Sequence, residues 1–236
     1  MRAQTTSGSQ SAAQDAGTHH PQVGCLSILS LGKLTISSPV QTEENDNIYR
    51  VDQDILHARV DTKLRLGAAA VHLRSWTADG VNTFVTEATA KGGGVAGTPI
   101  RVSLEMPAPG PGASTNFPVA VGNQNGVLWA TRENGATGSQ DYKARAAVAV
   151  GILGTRFIHV HSVSNIAEAS FVLKAGTPVW IVTVFESDAR MGLNGPTSTV
   201  LAQQAMHRST EPGKLRSILN RHSNLSPPMQ KPHNAG

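Results

Sequence analysis

Hydrophobic and polar residues alternate with a period of two along several short segments of this chain. The clearest are Lys63-Leu64-Arg65-Leu66 and, after Gly67, Val71-His72-Leu73-Arg74. Because successive side chains of a β-strand point to opposite faces, this alternation predicts strands with one buried and one polar face. Residues 26–36 alternate more loosely and end before Pro39, so a first strand is predicted there.

Turn-forming residues divide the rest of the chain into further short strands. Two or three strands are expected between Ile48 and Trp76, and Asp79-Gly80 predicts a hairpin turn after them. Later strands are predicted over residues 81–89, 100–106, 126–131, 144–153, 156–163, 169–173 and 179–186. The Pro- and Gly-rich residues 107–117 predict a long surface loop. The pattern predicts an all-β fold, a single jelly-roll-like β-sandwich.

The two ends of the chain lack this strand pattern. Residues 1–24, rich in small and polar side chains, predict a disordered segment before a β-sandwich domain at 25–201. A basic, mostly disordered tail is predicted at 202–236. A helix signal covers residues 198–207, which span the end of the predicted domain and the start of this tail.

A second short helix is predicted over residues 211–221 of that tail. Leu215, Ile218 and Leu219 fall on one face of it, which predicts a surface that docks on a partner or a membrane. Two turns are not stable alone in water, so the segment would fold on that partner or pack on the body. A disordered, solubilising tail is the alternative.

Charge is distributed unevenly along the chain. The sequence has 20 Lys and Arg against 16 Asp and Glu, a net charge of +4. Residues 207–236 contain one acidic residue, Glu211, and the basic residues Arg208, Lys214, Arg216, Arg221 and Lys231. The body is therefore neutral. A cationic tail on a neutral body favours a polyanionic partner, either nucleic acid or an anionic membrane surface.

Cationic residues also recur in or beside the predicted strands. They are Arg65, Arg74, Arg101, Lys143, Arg145 and Arg156. A sheet face with cations at alternate positions, joined to a flexible cationic arm, can follow a phosphate backbone without sequence preference. The RNA-binding candidates are therefore Arg65, Arg74, Arg208, Lys214, Arg216, Arg221 and Lys231. The alternative is that the strand arginines form a solvated face. Trp76, Trp129 and Trp180 are expected to fill the core.

Other chemistry has weaker signals. His159 and His161 share one face of a predicted strand, and Glu186 and Asp188 are similarly spaced on another. Together they could form a metal site, although histidines facing solvent explain the pattern as well. The chain has no Gly-x-Ser-x-Gly nucleophile motif and no phosphate-binding loop motif. We predict no enzyme activity and no cofactor.

Cysteine content and hydropathy suggest a location. Cys25 is the single cysteine, so no disulfide can form within the chain, and a reducing, intracellular setting is expected. The first residues lack the apolar core of a signal peptide, and no apolar run is long enough to span a membrane. We expect a soluble or peripheral protein that self-associates.

The layout resembles the plant-virus cell-to-cell movement proteins of the thirty-kilodalton superfamily, those of umbraviruses, dianthoviruses and tombusviruses. The resemblance is carried by Leu31-Gly32-Lys33-Leu34-Thr35-Ile36, by the run from Asp61 to Trp76, by the Pro/Gly loop and by the strand from Ala144 to Ile152. It covers roughly residues 26–190 in strand order, without a stringent motif. Members usually have an Asp shortly after an early strand, where this chain has Glu87, with Asp79 in the preceding turn.

The resemblance implies a viral protein with a β-sandwich core that binds single-stranded RNA and mediates transport through plasmodesmata. It implies a location in the host cell cytoplasm and at plasmodesmata. The alternative is a small jelly-roll viral coat protein, but many of these place a cationic arm before the body, and residues 1–24 carry only Arg2 and Asp15. Another binding module, such as a sugar-binding sandwich, would need exposed aromatic residues.

Overall fold

The computed structural model describes residues 31–40, 49–78, 82–92, 94, 96–107, 119–134, 144–188 and 196–210. Cys25, the predicted disordered segment at 1–24 and the predicted helix at 211–221 lie outside these residues. The described chain forms twelve β-strands and one helix.

The strands have the lengths that their alternating patterns allow. They are β1 Lys33–Ser37, β2 Arg50–Asp54, β3 Arg59–Leu66, β4 Ala69–Ala78, β5 Thr83–Gly92, β6 Thr98–Glu105, β7 Val119–Gln124, β8 Val127–Asn134, β9 Ala144–Leu153, β10 Phe157–Val163, β11 Ile166–Leu173 and β12 Val179–Ser187. The helix, α1, spans Ser198–Thr210.

The strands pair into two antiparallel sheets. The small sheet has the order β1-β6-β11-β10, and the large sheet has the order β2-β3-β4-β5-β12-β9-β8-β7. The inner faces of the two sheets pack against each other around one apolar core. The prediction of an all-β sandwich is therefore confirmed.

The core is built from small and β-branched side chains, with few aromatic rings. Strand β11 is an example. Its side chains alternate strictly between buried and partly exposed, with Ala167, Ala169, Phe171 and Leu173 buried against the large sheet. Facing them are buried residues of the large sheet, among them Ala88, Ala90, Leu128, Val148, Val150, Ile152 and Ile181.

A second apolar layer lies on the outer face of the large sheet, where α1 covers β8, β9 and β12. Leu201, Ala202 and Ala205 of the helix are buried on the sheet. The strand below presents small residues, and a Cβ added at Gly151 would lie 2.6 Å from the carbonyl oxygen of Ser209. The absence of a side chain at Gly151 therefore lets the last turn of the helix approach the sheet.

The helix is fixed at both ends by polar contacts. Thr197 caps its first turn, accepting a hydrogen bond from the backbone N–H of Val200 at 3.4 Å. In the last turn, Arg208 forms an ion pair with Glu186 of β12. The helix begins in the predicted domain and ends nine residues into the predicted tail at 202–236, and those residues pack on the sheet with the rest.

One strand of the large sheet was missed in the sequence. Strand β7, Val119–Gln124, was not predicted, although it pairs along its whole length with β8. The turn between them is Asn125-Gly126, and both residues have positive φ angles, of 52° and 81°. This is the residue pair that favours two-residue hairpin turns, so the signal was present in the sequence.

Candidate nucleic-acid interface

The outer face of β2–β5, the half of the large sheet beyond α1, carries charged side chains in cross-strand rows. Residues paired across antiparallel strands project from the same face. One row joins Asp52, Asp61, Arg74 and Glu87 across four strands. The next row towards one end of the sheet joins Arg50, Lys63, His72 and Thr89, and the row after it joins Arg65, Ala70 and Lys91.

Asp61 is the centre of the acidic row. Its carboxylate lies 2.8 Å from Nε of Arg59, 2.9 Å from Nε2 of His72 and 3.3 Å from Nε of Arg74. Partial burial raises the pKa of Asp61, but the charges of Arg59 and Arg74 and the hydrogen bonds from Arg74 and His72 outweigh it. The pKa of Asp61 therefore lies below its ordinary value, and the carboxylate stays ionised.

Arg74, predicted from the alternation to bind RNA, belongs to this acidic row. Besides Asp61, its guanidinium faces Glu87 on the neighbouring strand at 3.8 Å. The guanidinium of Arg74 therefore lies between two carboxylates, one of which it shares with Arg59. The structure gives Arg74 a role in joining β3, β4 and β5 through side-chain contacts.

Arg65 has different surroundings. It lines an open groove of about 540 Å³ together with Lys63, Lys91, His72 and Thr89. Lys63 and Lys91 are exposed, and neither pairs with a carboxylate of the described chain. We call this groove the basic groove, and among the described residues its lining contains no Asp or Glu.

The rows separate charge along the strand direction. Strand residues rise by about 3.3 Å, so the step of two residues from Asp61 to Lys63 moves about 7 Å towards the basic end. Across the strands, Arg65 and Lys91 are two strand spacings apart, or about 10 Å. Lys63 and Lys91 are exposed, and no carboxylate of the described residues lies in the groove lining, so these two lysines attract anions and an extended polyanion can contact both.

The tail candidates are divided by the end of the described chain. Arg208 lies in α1, and its ion pair with Glu186 holds the helix on the sheet. Lys214, Arg216, Arg221 and Lys231, with the docking candidates Leu215, Ile218 and Leu219, lie outside the described residues.

The structure does not bring together the four residues considered for a metal site. His159 and His161 lie side by side on the outer face of the small sheet, with ring centroids 4.8 Å apart and the ring planes tilted by 39°. His161 lies 3.4 Å from a carboxylate oxygen of Glu168. Glu186 and Asp188 belong to the other sheet and its margin. In the described part of the chain, no group of three His, Cys, Asp or Glu side chains could hold a metal ion.

Asp188 has a structural role at the end of β12. It is fully buried and accepts hydrogen bonds from the backbone N–H of Arg145 at 2.6 Å and from its guanidinium at 3.2 Å. Arg145 also donates to the carbonyl oxygen of Pro196, just before α1. This pair anchors the start of the helix segment to β9.

The three tryptophans lie on the outer face of the large sheet. Trp76 is 4% exposed and lies between Arg59 and Val85, and the partly buried Trp129 and Trp180 pack in the layer beneath α1. None of the three lines the basic groove. They were expected to fill the core, and they are buried or partly buried, but none of them lies in the core between the two sheets. The groove offers no tryptophan for base stacking.

None of the helical structure in the described residues is long and apolar enough to cross a membrane.

Comparison with known proteins identifies the fold only. No protein-family profile matches the chain, and no curated protein sequence matches it. A solved structure named as a kojibiose phosphorylase from the human microbiome is similar over 83% of this chain and 27% of its own, with a TM-score of 0.54 and 8% identity. A bacterial glucoamylase in complex with acarbose is similar over 83% of this chain and 31% of its own, with a TM-score of 0.46 and 13% identity. The chain thus spans about a third or less of these proteins.

Proposed function

We propose that this protein binds single-stranded RNA without strong sequence preference and acts as a viral movement protein that carries RNA between cells through plasmodesmata. The observation that carries the proposal is the basic groove, where Lys63 and Lys91 are exposed and no carboxylate of the described residues lies in the lining. The proposed location is the host cell cytoplasm and the plasmodesmata. The sequence resemblance supplies the biological setting.

The chemistry of the groove supports a sequence-tolerant mode of binding. Lysine and arginine contact phosphates through charge, which is the same for every nucleotide, while base discrimination needs contacts with base edges. Among the described residues that line the groove there is no Phe, Tyr or Trp on which bases could stack, and the one aromatic ring, His72, pairs with Asp61. We therefore propose affinity that is electrostatic and falls steeply with salt, with the cations of residues 211–236 adding contacts.

Sugar binding is a weaker proposal. The names of the similar structures suggest sugar binding, but at such low sequence identity the similarity indicates a shared fold alone. Sugar sites commonly present an exposed Trp, Tyr or Phe ring to the apolar face of the sugar, and none of these lies in the described lining of the basic groove. A groove with exposed lysines suits a phosphate backbone better.

The test is expression of a fluorescent fusion in single leaf epidermal cells, scored for puncta at the cell wall and for spread into neighbouring cells. The wild type is expected to form puncta and to spread. The charge-reversal variant Lys63→Glu/Lys91→Glu should lose the spread. The matched control is Lys33→Glu/Arg101→Glu, which reverses two exposed cations on the outer face of the small sheet.

Two other outcomes would overturn the proposal. Diffuse fluorescence of the wild type, with particles visible in extracts by electron microscopy, would indicate a coat protein. Equal loss of spread in both charge-reversal variants would show that the basic groove is not the RNA site.

A further inference from the structure

A second cationic cavity lies at the end of the sandwich next to the basic groove. It has a volume of about 700 Å³ and is formed by the turn between β9 and β10, the end of β11 and the start of β12. Arg156 and Lys174 are exposed in its lining, together with the hydroxyl-bearing Thr155 and Thr177. As in the basic groove, none of the described residues that line it is Asp or Glu. We call it the end cavity.

The backbone around the end cavity is closely packed, which positions its cations. Gly154 has a φ of 88°, and a Cβ there would lie 2.8 Å from the carbonyl oxygen of Pro178. The turn that carries Arg156 is therefore held against the segment entering β12. On the other side, the backbone N–H of Thr177 donates to the carbonyl oxygen of Lys174 at 3.2 Å, closing a turn.

The end cavity and the basic groove are adjacent. Ala175 forms a parallel bridge with Ala90, and the backbone N–H of Gly176 donates to the carbonyl oxygen of Ala90 at 3.3 Å. Lys174 and Lys91 are the chain neighbours of these two bridged alanines. The bridge therefore holds the segment that carries Lys174 beside the segment that carries Lys91.

We propose that the end cavity binds phosphodiester groups of the same RNA strand that occupies the basic groove. The strand would leave the face of the large sheet beside Lys91, pass Lys174 and reach Arg156 at the end of the sandwich. The inference rests on the proposed RNA binding and extends it to a second site and a direction. Recognition by lysine and arginine reads phosphate charge alone, so the path carries no base preference.

The test is the salt dependence of binding to a labelled 20-nucleotide oligouridylate, measured by fluorescence anisotropy with the full chain. Each phosphate contact on single strands contributes about 0.7 to the slope of log affinity against log salt. Arg156→Ala/Lys174→Ala should lower the slope by about 1.4. Lys63→Ala/Lys91→Ala should lower it by a similar amount, and the matched control Lys33→Ala/Arg101→Ala should leave it unchanged. Circular dichroism checks that each variant is folded.

Stoichiometry distinguishes one path from two sites. At low salt, the wild type should saturate at one oligonucleotide per chain, and the end-cavity variant should keep this ratio. A ratio of two that falls to one in the variant would overturn the single path.

The failures of the two proposals differ. A reduced slope for Lys63→Ala/Lys91→Ala with an unchanged slope for Arg156→Ala/Lys174→Ala would overturn the inference and leave the proposed function standing. An equal reduction in the Lys33→Ala/Arg101→Ala control would overturn a defined path. A wild type that does not bind the oligonucleotide in a salt-dependent manner would overturn the proposed function, and the inference with it.

Discussion

The outer face of the large sheet has two halves that differ in side-chain size and charge. Under α1, strand β9 presents Ala147, Ala149 and Gly151, which are small enough for a helix to pack directly on the sheet. On β3 and β4 the same face presents long charged side chains, such as Arg59, Lys63 and Arg74. Trp76 and Val85 are apolar exceptions within the charged half.

Alternation alone therefore does not decide whether the outer face of a sheet packs against a helix or stays open to solvent. Both halves follow the same period of two, and in both the inner residues fill one core. Small residues on the outer face recruit a helix and extend the apolar interior by one layer. Charged residues leave the face to solvent, where carboxylates either neutralise the cations, as at Arg74, or are absent, as at Lys91.

The largest expected effect comes from removing the main apolar anchor of the covered half. Leu201 is 2% exposed beneath α1. Leu201→Ala should lower the free energy of unfolding by about 2–4 kcal/mol, because it leaves a cavity between helix and sheet. Urea denaturation followed by circular dichroism measures this. A change below about 0.5 kcal/mol would show that the helix is not part of the stable fold.

Adding volume at the helix contact should have the next largest effect. Gly151→Ala places a methyl group against the Ser209 backbone and should cost about 1–3 kcal/mol. The matched control is Ala70→Val, which adds volume at an exposed position of the charged half and should be nearly neutral. Thermal unfolding compares the two. Equal effects would contradict the difference between the halves.

In the charged half, the strongest contribution to stability should come from Asp61. Asp61→Asn should cost about 1–2 kcal/mol at neutral pH, because Arg59 and Arg74 lose a charged partner. The pKa of Asp61 is lowered in the folded state, so its contribution is present above the ordinary value of 3.8 and is lost as pH falls through the lower folded value.

The wild type should therefore lose more stability than Asp61→Asn between pH 5 and pH 2. Denaturation at a series of pH values measures the difference. Asp52→Asn is the control, since Asp52 is directly opposite on β2, is largely exposed and pairs only with Arg50 among the described residues. If the free energy of unfolding changed with pH in the same way for wild type and Asp61→Asn, the ionised Asp61 carboxylate would not stabilise the fold.

Two basic residues should separate stability from RNA affinity. Arg208→Ala should cost about 1 kcal/mol, because it breaks the ion pair with Glu186, and should leave the salt slope of RNA binding unchanged. Lys91→Ala should change stability by less than about 0.5 kcal/mol and lower the slope by about 0.7. Chemical denaturation and anisotropy measure the two effects, and the reverse assignment would contradict the structure.

Local patterns predicted most of the strands, because a half-buried strand alternates apolar and polar residues with a period of two. Strand β11 is an example, with every second residue buried. Strand β7 was not predicted because Val119–Gln124 is short and contains glycine. Local patterns could not predict the order of the strands in the sheets, since β5 pairs with β12, which lies about ninety residues further along the chain.

The site was predicted in part for a related reason. Alternation placed Arg65 and Arg74 on one face, and the structure agrees. It could not show that Arg74 faces Asp61 and Glu87 from neighbouring strands, while Arg65 shares a groove with Lys91. Arg208 was assigned to a free tail because the helix pattern over residues 198–207 gave no sign of the sheet that it packs on.

The most direct measurement is photo-crosslinking of the full chain to a single-stranded RNA that contains 4-thiouridine, with the crosslinked peptides identified by mass spectrometry. The account predicts crosslinks in β3 around Lys63 and Arg65 and at the end of β5 around Lys91. It predicts none on the outer face of the small sheet around Arg101. Crosslinks confined to the small sheet, or the absence of any crosslink on β3 and β5, would contradict the proposed RNA-binding face.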